Sequence, residues 1–84
     1  MYSIDWGNED VLLQLTLLPY DVAMGLTDVL IAVCLDPWGY ERRADEPLDG
    51  AARWVTFGNG FGRVKFLILP HAGQVLVAEI EWNG

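Results

Sequence analysis

Residues 53–82 read RWVTFGNGFGRVKFLILPHAGQVLVAEIEW, and the reading of this stretch decides the fold. It divides into three extended runs, RWVTF, GRVKFLIL and QVLVAEIEW. β-branched and aromatic residues fill the runs, and turn-forming residues separate them. Asn59-Gly60 is a strong hairpin signal, because a two-residue type I′ turn needs positive φ at both central positions, which Asn and Gly tolerate. Centring the turn there sets Thr56 opposite Arg63 and Trp54 opposite Lys65. His71-Ala72-Gly73 suits a three-residue loop with Gly in the left-handed position. That loop sets Lys65 opposite Glu79 and Arg63 opposite Glu81.

The two registers agree on sidedness. One face is expected to collect Val55, Phe57, Val64, Phe66, Ile68, Leu76, Ala78, Ile80 and Trp82, and so to be apolar. The other collects Trp54, Thr56, Arg63, Lys65, Glu79 and Glu81 at one end and Leu67, Leu69, Val75 and Val77 at the other. A one-residue slip would carry charge into the core, so this register is strongly specified.

Working outward, residues 2–6 alternate Tyr2, Ile4 and Trp6 with Ser3 and Asp5, the period of a half-buried strand. Gly7 breaks it. Asn8 can cap a helix whose first turn holds Glu9 and Asp10, where the helix dipole favours anions. Val11–Leu18 is then a short apolar helix, with a strand as the alternative reading of LLQLTLL. Pro19 ends it and suits the first turn of a second helix, about Tyr20–Leu35. Val22, Leu26, Val29 and Val33 form one stripe of that helix, with Ala23, Leu30 and Cys34 beside it. Met24, Ile31 and Leu35 carry the apolar surface further round, beyond what one sheet face covers. They are a candidate partner surface, the alternative being that the helix hairpin buries them. Asp36-Pro37 stops the helix. Residues 36–52 form a Pro-, Gly- and charge-rich connection that Trp38 and Tyr40 can pin to the body. The element order β-α-α-β-β-β predicts one α+β domain over residues 1–84, with a helix hairpin on one face of an antiparallel sheet.

Composition narrows the function classes. A hydrophobic fraction of 52% in 84 residues excludes a disordered chain. So small a domain is marginal alone, and with one cysteine no disulfide can staple it, so self-association or a bound partner is expected. The lone Cys34 fits a reducing, cytoplasmic setting. The net charge of −7 argues against a nucleic-acid grip, which needs clustered Lys and Arg, and fits solubility or a basic partner. The N-terminus shows no basic, signal-like segment, and no 18-residue apolar run suggests a membrane span.

The chemistry candidates lie on the polar sheet face. Arg63 and Lys65, with Trp54 and Thr56 alongside, could contact phosphate or an acidic partner. The competing reading is cross-strand pairing with Glu79 and Glu81, which weighs more because those carboxylates are placed to neutralise the pair. Glu79 and Glu81 also form a carboxylate pair, but the cations opposite keep both ionised, against acid–base catalysis. His71 reads as a turn residue and Cys34 as core. Gly58–Gly62 joins two strands, not a strand and a helix, so it does not cradle phosphate. Arg42-Arg43 read as a solvated loop. No metal-ligand spacing and no cofactor motif appears.

The run LLPYDVAMGLTDVLIAVCLDP, then EPLDG, then GNGFGRVKFLILPHAGQVLVAEIEW, resembles the RelE/ParE toxin superfamily of type II toxin–antitoxin modules. The shared marks are a helix hairpin ending near Asp-Pro, a P-L-x-G connection, a G-x-x-R-V-x-Y/F-x-I strand and a final V-x-V-x-x-I strand. The Leu-, Asp- and Gly-rich composition is similar to that of small actinobacterial members. The resemblance implies a bacterial toxin whose partner is a cognate antitoxin or a second copy. It implies ribosome-dependent mRNA cleavage for RelE-type members, with Arg63 at the shared strand arginine. The basic positions on the preceding strand read Trp54 and Thr56 here, and the chain stops at Gly84, two residues past Trp82, before a further basic segment. The expectation therefore leans away from an enzyme, towards a toxin acting by protein–protein contact. A degenerate member kept as a non-toxic scaffold is the third reading.

Overall fold

The computed structural model describes residues 1–40 and 52–84; the EPLDG connection and Arg42-Arg43 lie outside the described residues. Strand β1 (Ser3–Asp5) leads into helices α1 (Glu9–Leu17) and α2 (Tyr20–Leu35) and a 3₁₀ turn over Pro37–Gly39, and strands β2 (Ala52–Phe57), β3 (Gly62–Leu69) and β4 (Gln74–Trp82) follow. The sheet order is β1-β4-β3-β2, with both helices against one face. The segment after Leu12 is helical, and the Asn8 side chain accepts a hydrogen bond from the Val11 amide at 3.1 Å, the expected cap.

The expectation of a wholly antiparallel sheet is corrected at one edge. β2, β3 and β4 form an antiparallel meander, but β1 runs parallel to β4, pairing Ser3 with Gln74 and Asp5 with Leu76. β3 already occupies the other side of β4, so β1 takes the remaining open edge of that strand.

The first hairpin follows its turn chemistry. Asn59 and Gly60 have φ of 58° and 88°, and the Phe61 amide donates to the Gly58 carbonyl at 3.1 Å. Trp54 pairs with Lys65 and Thr56 with Arg63, as expected. Gly58 has no room for a side chain: an added Cβ would lie 2.5 Å from the Trp82 ring.

The second hairpin differs from expectation. The loop holds four residues, Pro70 to Gly73, with Leu69 paired to Gln74. An irregularity between Lys65 and Phe66 then moves the partner from Glu79 to Val77, leaving Ala78 as the extra residue of a β-bulge. The longer loop and the bulge cancel beyond that point, so Lys65–Glu79 and Arg63–Glu81 keep their expected pairing. Between loop and bulge every β4 side chain changes face. Val75 and Val77 are fully buried, whereas Leu76 and Ala78, expected inside, are only partly covered. Two β-branched residues thereby replace one Leu and one Ala in the core.

The core has two neighbouring parts. Leu26 and Leu30 of α2 and Val11 of α1 meet Phe57, Val64, Val77 and Ile80, while Val33 and Cys34 meet Phe66, Ile68 and Val75. Each fully buried large side chain contributes ~1.5–3 kcal/mol by leaving water. Trp82 stacks on Phe57 with centroids 5.9 Å apart. Trp38 and Tyr40 pin the chain after α2, as anticipated: Tyr40 meets Phe66 edge-on, and the Trp38 indole N–H donates to the Tyr2 hydroxyl at 3.3 Å. Among the described residues no helix is long and apolar enough to cross a membrane.

The bulge makes adjacent positions opposite in their tolerance. Val77→Asp buries an uncompensated carboxylate and is expected to abolish the cooperative unfolding transition, whereas Ala78→Asp stays folded, as read by circular dichroism during thermal melting.

Candidate functional site

The helix-free face of the sheet gathers the polar residues singled out above. β2 supplies Trp54 and Thr56, β3 supplies Arg63 and Lys65, and β4 supplies Glu79 and Glu81. Strand alternation fixes this set, since these positions stand out of phase with the buried Phe57, Val64, Phe66 and Ile80. The Arg63 Nε donates to a Glu81 carboxylate oxygen. The same guanidinium lies 4.6 Å from the Trp54 ring centroid, and the Lys65 ammonium lies 5.9 Å from it. The indole thus forms a platform under two cations.

The hydrogen bond to Glu81 pushes the Arg63 pKa up, against a smaller desolvation effect, with the charges of Glu81 and Glu79 adding to the rise. A guanidinium held in this way stays charged throughout the physiological range and cannot serve as a general acid or base. Its chemistry is recognition of an anion or stabilisation of developing negative charge. Thr56 and Glu79 are exposed on the same face, with Glu79 across from Lys65.

Arg53 is one step out of phase with Trp54 and Thr56. It is 9% exposed on the helix side of β2, its guanidinium 5.3 Å from the Trp38 ring, and it donates to the Ala52 carbonyl at 2.9 Å. Its phase with Val55 and Phe57 was the available signal. Its guanidinium thus brings β2 into contact with the turn after α2.

The opposite side of the molecule carries the second candidate surface. Met24, Ile31 and Leu35 are 48%, 49% and 68% exposed, so the hairpin does not bury them. Leu13, Leu17 and Tyr20 are also exposed and were not singled out; the i, i+4 spacing of the two leucines could have found them. Beside Ile31 a depression of about 460 Å³ is lined by Met1, Tyr2, Ser3, Ile4 and Cys34. Cys34 is buried, and desolvation pushes its thiol pKa up, only partly offset by the positive N-terminus. His71 lies in the β3–β4 loop, and no group of three His, Cys, Asp or Glu among the described residues could hold a metal ion.

With this geometry in place, the chain superimposes on isolated E. coli RelE toxin with a TM-score of 0.75 and 19% identity, over 100% of this chain and 86% of that one. The chain's fold is RelE-like. The intact E. coli RelBE toxin–antitoxin complex matches with a TM-score of 0.77 and 16% identity, over 100% and 99% of the two chains. An arginine-substituted E. coli RelE in the free state matches at 0.73 and 19%, over 96% and 82%. No family model and no curated protein sequence matches this chain. A RelE-like fold retained at so low an identity rests on element order and sheet topology, and leaves the side chains on both surfaces free to differ.

Two outcomes check the site chemistry. Arg63→Ala should move the thermal midpoint far less than a core truncation such as Leu30→Ala, because the ion pair stands in water. Cys34 should alkylate more slowly in the native protein than in urea at about pH 8.5, where an ordinary thiol is half ionised, because the raised pKa leaves less thiolate.

Proposed function

We propose that the chain is the toxin-like component of a type II toxin–antitoxin pair and acts through protein–protein contacts. The observation that carries this reading is the RelE-like fold combined with an apolar strip on α2 that the fold leaves uncovered. Exposed Met24, Ile31 and Leu35 on one helix exceed the scattered apolar residues expected of a free monomer surface. A cognate antitoxin segment seated there would bury them and supply the cover that an 84-residue domain needs. On the sheet face, Arg63 is tied to Glu81 and Trp54 stands where a cation would serve phosphate contacts, which supports contact over cleavage. Cytoplasmic action and a bacterial source belong to the same proposal.

Induction without neighbouring genes in a bacterial host tests it. Growth should slow, transcripts should remain intact on a gel, and Arg63→Ala should be as toxic as the parent. Cut transcripts with loss of toxicity in Arg63→Ala would instead establish a ribosome-associated endonuclease. Unimpaired growth would establish a non-toxic scaffold.

A further inference from the structure

The two helices carry an unusual charge distribution. Residues 1–40 contain no Lys, Arg or His, while α1 and α2 carry Glu9, Asp10, Asp21 and Asp28. On α2 each residue advances about 100° round the axis, which brings Tyr20, Ile31, Met24 and Leu35 within about 60° of one another. Asp28 and then Asp21 follow along the same edge. All six side chains are exposed. The outer face of α2 is therefore an apolar strip with an acidic border. It is about 22 Å long from Tyr20 to Leu35, the length of four helical turns. The depression beside Ile31 gives it a concave margin fit to take one large apolar side chain.

Charge selects the occupant. A second copy would set one acidic border against another in a chain of net charge −7, and an anionic lipid surface or nucleic acid would be repelled in the same way. We propose that this face docks a cationic amphipathic helix of a partner protein, with leucine-like residues on the strip and Lys or Arg over Asp21 and Asp28. The inference rests on the reading of this surface as the partner-docking face and adds the chemistry of the partner. Tyr20, Met24, Ile31 and Leu35 stand at i, i+4, i+11 and i+15, one stripe along which a partner helix can lay its apolar face. Flanking cations would speed association and fix orientation, and apolar burial would hold the complex.

A fluorescent peptide of about 16 residues, built from Leu and Lys at helical spacing, tests this against a Leu/Glu control of the same pattern. With the full chain, the Leu/Lys peptide should bind at about 50 mM salt and weaken at least about tenfold at about 500 mM, and the control should not bind. A double variant, Met24→Glu with Ile31→Glu, makes the face more acidic but removes its anchors. Binding should fall at least about tenfold. Unchanged or tighter binding would mean diffuse attraction and would overturn the proposal, as would binding of the control peptide or dimerisation through this face in sedimentation. Asp28→Lys, away from the first turn of α2, should weaken the cationic peptide while leaving the melting curve close to that of the parent. The growth experiment separates the two levels: toxicity with no cationic preference defeats only the partner chemistry, and cationic binding without toxicity defeats only the toxin reading.

Discussion

The pairing of β3 with β4 is the constraint on which the remaining structure depends. Its upper half, Lys65–Glu79 and Arg63–Glu81, sets the polar sheet face, and its lower half sets which β4 residues reach the helices. The bulge at Ala78 lets one strand satisfy both demands. Without it, a single register would bury either Val75 and Val77 or Ile80, but not all three. With it, the core gains β-branched residues under α2 while the charged rungs stay outside. The helices inherit their seats from this arrangement, since Val33 and Cys34 rest on Phe66 and Val75, and Leu26 and Leu30 on Val64 and Val77.

The molecule consequently has two unlike faces. The sheet side concentrates what positive charge the described residues expose, yet one cation is hydrogen-bonded to Glu81 and both lie over the Trp54 ring. Helices α1 and α2 carry no Lys, Arg or His and offer apolar side chains with an acidic border. A RelE-like scaffold thus carries an ion-paired polar face on its sheet and an acid-bordered apolar face on its helices.

Much of this was legible in the sequence because local signals coincide with global ones. Asn59-Gly60 fixed one hairpin, Asn8 decided helix over strand for LLQLTLL, and Pro19 and Asp36-Pro37 bracketed α2. The composition of the polar sheet face followed from strand period alone. What could not be read depends on tertiary balance. A four-residue loop and a three-residue loop are equally compatible with PHAG, and the choice is made by burying Val77 in place of Ala78, an energy no local rule contains. The parallel placement of β1 likewise has no signature in SID, since edge choice is made by the finished sheet. Arg53 stands one step out of phase with Trp54 and Thr56, as its place in the strand requires, but its contact with the Trp38 ring has no local signature.

The β1–β4 contact carries an implication for biosynthesis. Ser3 meets Gln74, so β1 is made well before the strand it pairs with exists. During translation both helices emerge with no sheet to lie on, and contacts of such long sequence separation form slowly. The apolar helices of the nascent chain therefore stay uncovered, and open to aggregation, until the sheet closes over them.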